Sequence, residues 1–97
     1  MPPVILEARE VVGHGRYLQE VRISEFPPTA SLPGGLRYSL CLVDLRTGDV
    51  VLLYDVPRGK SHHRHLRGDE TSYVFKNVDS LLNDFLNDVA RLVEGKL

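Results

Sequence analysis

Tryptophan is absent from this 97-residue chain, cysteine and methionine occur once each, and aromatic residues supply 7% of it. A single cysteine forms no internal disulfide, which excludes the stapled scaffolds of small secreted proteins. Cys41 falls inside an apolar alternation and reads as a reduced, partly buried thiol with no nucleophilic role. No apolar run approaches the roughly 18–20 residues of a membrane span. The start, Met1-Pro2-Pro3-Val4, lacks the charged lead and small-residue cleavage site of a signal peptide. The expected setting is therefore cytoplasmic, with no membrane partner. Nor is one sign of charge in excess: 12 Lys and Arg against 13 Asp and Glu leave a formal net charge of -1 and a pI near 6.4. A globally basic nucleic-acid binder is thereby excluded, and any basicity has to be local.

With 42% hydrophobic residues, the chain can fill one modest core, so a single domain over 1–97 is expected. No internal repeat is present, and no low-complexity tract beyond a Pro/Gly-rich bend between Phe26 and Gly35. Val4, Leu6, Ala8 and Val12 alternate with their neighbours, and after Gly13-His14-Gly15 the alternation resumes at Tyr17, Val21 and Ile23, which predicts a β-hairpin with His14 as a turn residue. The bend 26–35 carries three prolines and two glycines and cannot continue a strand. Leu36, Tyr38, Leu40 and Leu42 then line one face against Arg37, Ser39 and Cys41. Thr47-Gly48-Asp49 supplies a turn before Val50-Val51-Leu52-Leu53-Tyr54, a run apolar on both faces that suits a central strand. A short fifth strand is placed around Tyr73-Val74-Phe75. Val78, Leu81, Leu82, Phe85, Leu86, Val89, Leu92 and Val93 fall at helical spacing, with Asn77 or Asp79 to cap the start and Gly95 to end it. The predicted class is α+β: an antiparallel sheet of four to five strands over about 4–76, enclosing a basic His-rich loop at about 56–70, with one C-terminal helix at about 78–94 packed on one face.

Chemistry concentrates in that loop. Arg58, Lys60, Arg64 and Arg67 surround His62, His63 and His65, three of the chain's four histidines, with no acid between them. Imidazole titrates near neutral pH, so a pair of them among cations suits proton transfer at a phosphodiester. If the segment is extended, His63 and His65 project to one face about 6.5–7 Å apart while His62 and Arg64 face the other. One imidazole would take the proton of a ribose 2′-hydroxyl and the other would protonate the leaving 5′-oxygen, with Lys60 or Arg64 stabilising charge on phosphorus. Tyr54, Asp55, Glu70 and Tyr73 border the loop as supporting residues: an acid can orient an imidazole through its second nitrogen, as can Asp69, and the tyrosines can stack on a base or fill the core. No metal or other cofactor is expected, because four cations surround the histidines and the acids lie outside the cluster in sequence. Two other readings stay open: a solvated loop, and a non-catalytic surface on which Arg58, Lys60, Arg64 and Arg67 bind the phosphates of RNA or DNA.

The ordered set Tyr54-Asp55, Gly59-Lys60, His63-x-His65, Glu70, Tyr73-x-Phe75 and Leu82-x-Asp84-Phe85, preceded by Pro27-Pro28 and Arg37-Tyr38-Ser39-Leu40, resembles the TumE family of small toxins from prokaryotic toxin–antitoxin pairs. The resemblance spans most of the chain. It departs at Val56 and Ser61, where the family pattern often carries Asn and Gly. The resemblance implies a growth-inhibiting toxin that acts on RNA and a cognate antitoxin, often of helix-turn-helix type, as partner, and its motif falls on Gly59, Lys60, His63 and His65. Joined to the histidine geometry above, it gives the leading expectation, a metal-independent endoribonuclease using His63 and His65. A homodimer is left open. The competing expectation is an interaction module that binds nucleic acid or an antitoxin without catalysis.

Overall fold

Alternating apolar residues set the first four strands. The structure, a computed structural model, describes residues 4–28, 30, 35–56 and 61–97. Six strands, β1 (Val4–Val12), β2 (Tyr17–Glu25), β3 (Leu36–Asp44), β4 (Val50–Asp55), β5 (His63–Leu66) and β6 (Asp69–Ser72), precede one helix, α1 (Val78–Val93). The strands form one antiparallel meander in chain order, β1-β2-β3-β4-β5-β6. The fold class and the C-terminal helix agree with the sequence reading, but the sheet has six strands rather than four to five.

The difference lies in the expected loop 56–70, which carries a hairpin of its own. Arg67 and Gly68 both adopt positive φ, 49° and 89°, and join Leu66 to Asp69 across a two-residue turn of the mirror-image type that matches strand twist. The two strands escape a hydrophobicity reading because, Leu66 apart, their side chains are histidine, arginine, acid and hydroxyl. Tyr73-Val74-Phe75 is correspondingly not a strand. Tyr73 donates its backbone N–H to the His62 carbonyl (3.0 Å), after which the chain leaves the sheet towards the helix, with Val74 exposed.

Successive β residues alternate faces and directly paired residues share one, so the register divides the sheet cleanly. Ile23, Leu40, Leu42, Leu52 and Tyr54 point to one face and are buried there together with Leu81, Phe85, Val89 and Leu92 of the helix. The helix is held at both ends. Asn77 accepts from the Ser80 amide at 2.8 Å. At the other end, Gly95 at φ 76° lets its own amide reach Leu92 O and that of Lys96 reach Arg91 O, which satisfies two terminal carbonyls. Burial pushes the Cys41 thiol upward, with Glu20 adding to it, in keeping with an unreactive free cysteine on the opposite face.

Candidate active site on the open face of the sheet

Two-residue alternation sorts the segment 62–66 into opposite duties. His63 and His65 stand on the face away from the helix, ring centroids 6.2 Å apart. Arg64 stands on the helix face. There its Nε donates to Asp88 (2.8 Å) and to the Tyr54 hydroxyl (3.2 Å), and Tyr54 itself donates to Asp88. His62, just before the strand, stacks on Phe75 (4.8 Å) and Tyr38 (5.6 Å), and its Nδ1 is hydrogen-bonded to the Tyr38 hydroxyl (2.8 Å). The predicted His63/His65 pairing and the divergence of His62 and Arg64 are therefore both present.

The acids come from neighbouring strands. Register places Asp55 opposite His63 and Glu70 opposite His65, all four on the open face. His63 Nδ1 is hydrogen-bonded to Glu70 Oε1, and His65 Nε2 lies 3.5 Å from Asp55 Oδ1 and 3.8 Å from Glu70 Oε1. Asp55 Oδ1 is buried and accepts no hydrogen bond among the described residues; its approach to His65 is electrostatic, at ion-pair distance. The site is thus a pair of imidazoles backed by two carboxylates. His63 keeps Nε2, and His65 keeps Nδ1, as the nitrogen not turned to an acid.

The same register extends the site sideways. Glu7, Arg22, Ser39, Asp55, His63 and Ser72 pair successively across all six strands, forming one transverse polar row on the open face. Beside it Arg37 pairs with Ser24. A cleft of about 440 Å³, lined by Arg22, Ser24, Phe26, Arg37, Tyr38, Ser39, Leu53, Asp55 and Val56, opens over this part of the sheet. It borders the histidine pair through Asp55. Arg22, Arg37 and Ser39 were legible only as the polar side of amphipathic strands; their common row emerges once the antiparallel register is known.

The remaining expected site residues have other work or lie elsewhere. Arg58 and Lys60 fall outside the described residues. Arg67 sits in the β5–β6 turn and donates to the Leu97 carbonyl (3.0 Å). Tyr54 is buried, edge-on to Tyr73 and Phe85, and Tyr73 donates to Asp84 on the helix (2.5 Å). The Asp69 pairing with Leu66 is at the turn, apart from the imidazoles. Burial opposes the Arg64 charge, and the hydrogen bonds that it donates to Asp88 and Tyr54 hold it, so its environment is that of a strut between β5 and α1. Arg64→Ala should accordingly lower stability by about 2 kcal/mol, since it leaves a largely buried carboxylate with the Tyr54 hydroxyl but no compensating charge, and should leave RNA affinity unchanged. A urea melt beside a binding titration separates this from a phosphate-binding role.

His62 differs in kind from the open-face pair. Burial first, and the neighbouring His63 second, hold its pKa below the ordinary 6.5. A folded-state value below the unfolded one means that the unfolded chain binds the extra proton first. His62 therefore favours folding above about pH 6.5 and loses that contribution as pH falls through its lower folded value. The wild type should lose more stability than His62→Phe across that window, as thermal melts at successive pH values would record.

His63, His65 and Glu70 offer three ligand atoms within 4.8 Å of one another. The electrostatic argument against a metal, that the acids lie outside the cluster, holds in sequence and not in space, because cross-strand pairing brings Glu70 and Asp55 to the imidazoles and turns Arg64 away. These donor types would accept a zinc-like ion.

A small α+β protein with an antiparallel meander, one covering helix and ionisable residues across the open face is the class that this fold and site define. The chain belongs to the Toxin TumE family, whose model matches residues 4–93, and is thus a toxin of the toxin–antitoxin type, with an antitoxin as its partner. Searches of curated proteins and of solved structures found no match. Among the described residues no helix is long and apolar enough to cross a membrane.

Proposed function

We propose that this toxin is a metal-independent endoribonuclease of the cytoplasm, with His63 and His65 as its general acid and base. The observation that carries this reading is the placement of two imidazoles 6.2 Å apart on the sheet face away from the helix, each turned to a carboxylate. In the reaction, a ribose 2′-oxygen attacks the adjacent phosphorus and its proton passes to one imidazole. The phosphorus–O5′ bond breaks, and the other imidazole, protonated beforehand, donates its proton to O5′. A 2′,3′-cyclic phosphate and a free 5′-hydroxyl result. Glu70 and Asp55 fix ring orientation and stabilise whichever imidazole carries charge. An antitoxin silences this chemistry most directly by covering the open face, where it would meet the same charged row as the substrate.

Induction of the wild type and of a His63→Ala, His65→Ala double variant in a bacterial host without antitoxin tests the proposal. Growth arrest with RNA fragmentation is expected from the wild type alone, at equal soluble expression. Purified wild-type protein should cleave RNA equally with and without EDTA. Loss of cleavage on chelation, restored by a divalent ion, would move His63, His65 and Glu70 from proton transfer to metal binding. Growth arrest by both proteins with intact RNA would place toxicity in binding.

A further inference from the structure

We infer that the cleft beside the histidine pair is a phosphate-binding track for single-stranded RNA, with Arg22 and Arg37 as its cationic contacts. The inference deepens the ribonuclease reading by naming residues that hold the strand flanking the scissile bond.

Three observations carry it. First, Arg22 and Arg37 are exposed at outward positions of β2 and β3, and neither forms an ion pair among the described residues, even though Glu7 stands opposite Arg22 in the register. Arg9, Arg16 and Arg64 are each neutralised, by Glu20, Asp44 and Asp88; Arg46, Arg67 and Arg91 share the lack of an ion pair among the described residues, but only Arg22 and Arg37 line the cleft. Two guanidinium groups held over one concavity without a carboxylate partner suit phosphate oxygens.

Second, the cleft is mixed in character. Phe26 and Leu53 supply apolar surface against which a base can lie, and Ser39 supplies a hydroxyl between the arginines and the acids. Apolar walls with a few polar groups of one purpose describe a nucleotide site better than a flat protein contact. Third, the geometry is continuous with the histidines. Arg22, Ser39, Asp55 and His63 occupy consecutive strands in one row, so Arg22 stands three strand spacings, about 14 Å, from His63. A strand whose scissile phosphate sits at the imidazoles therefore passes over the cleft as it leaves them, and aromatic surface with backbone-tracking cations is how single strands are held without sequence selection.

The test is fluorescence anisotropy of a labelled, mixed-sequence RNA oligonucleotide carrying 2′-O-methyl groups, which bars cleavage, against the full chain. Arg22→Ala and Arg37→Ala should each weaken binding roughly five- to tenfold and lower the salt dependence by about one phosphate contact. Arg91→Ala, on the exposed side of the helix, should bind as wild type, and the lysine variants R22K and R37K should keep most of the affinity. Unchanged thermal melts exclude misfolding.

Wild-type affinity in R22A and R37A overturns the inference, and if these variants also cleave RNA normally the ribonuclease reading stands without it. Arginine-dependent binding by a wild type that cleaves nothing keeps the track and removes the ribonuclease. Weakened capture of the purified antitoxin with RNA binding intact overturns the inference and makes the cleft a protein docking surface.

Discussion

His63→Ala and His65→Ala should each lower the rate of RNA cleavage by about 10²–10⁴-fold, the range of a lost general acid or base, and change RNA affinity by less than about threefold. The asymmetry follows from the geometry. Neither imidazole is a fixed charge, and the flanking cations Arg22 and Arg37 occupy a separate cleft, so truncating a ring removes proton transfer and little of the phosphate attraction. The double variant should be hardly slower than the worse single variant, because an acid–base pair acts as a unit and losing one member already disables it. Cleavage by the wild type should follow a bell in pH that belongs to the pair as a unit, and either single replacement should remove the bell. Glu70→Gln should slow the reaction less than either histidine replacement, since it keeps a hydrogen-bond acceptor near His63 and removes only the charge. Rates measured on a defined oligonucleotide over a pH series would check all of these. A single variant cleaving within tenfold of wild type would remove that histidine from the chemistry.

The part of this fold that was legible before the structure is the part where hydrophobicity alternates. Leu81, Phe85, Val89 and Leu92 make the buried stripe of a helix whose bounds, 78–93 against an expected 78–94, follow from Asn77 and Gly95. β1 to β4 were likewise readable from Val12, Val21, Ile23, Leu40, Leu42 and Leu52. What was not readable is pairing. His63-Arg64-His65-Leu66 becomes a strand because β4 offers it an edge and Arg67-Gly68 turns it back, and neither fact leaves an apolar trace. The same blindness left half of the candidate site unsorted: Asp55, Asp69 and Glu70 all read as orienting acids, and only the register selects Asp55 and Glu70. Alternation alone set His63 and His65 on one face, but Asp55 and Glu70 reach them only through cross-strand register, eight residues before His63 and seven after it. Arg64 illustrates the converse: a cation inside a basic run reads as a phosphate ligand, and a residue on the buried face with Asp88 beneath it is a strut.

Phe85→Ala should be the most damaging single change in this chain, with an expected loss of about 3–5 kcal/mol for emptying a large buried aromatic site. Phe85 is fully buried at the middle of α1, edge-on to the Tyr54 ring at 5.8 Å. The helix is the layer that covers the apolar face of the sheet, and among the described residues no second core stands behind it. Against the low end of the typical range of about 5–15 kcal/mol, where a domain this small belongs, that loss leaves a substantial unfolded fraction. Leu86→Ala, one residue on but half-exposed, supplies the control and should cost under about 1 kcal/mol. Urea denaturation of the two variants would check the contrast, and similar midpoints would show that the helix does not seat as described. The consequence for function is separable from the chemistry. In cells, Phe85→Ala should abolish growth arrest as completely as a histidine variant, through low abundance of folded toxin. In the test tube, at low temperature, the folded fraction should cleave RNA at close to the wild-type rate, because Phe85 and the histidines lie on opposite faces of the sheet with β4 between them. Only the histidine variants should be both folded and inert.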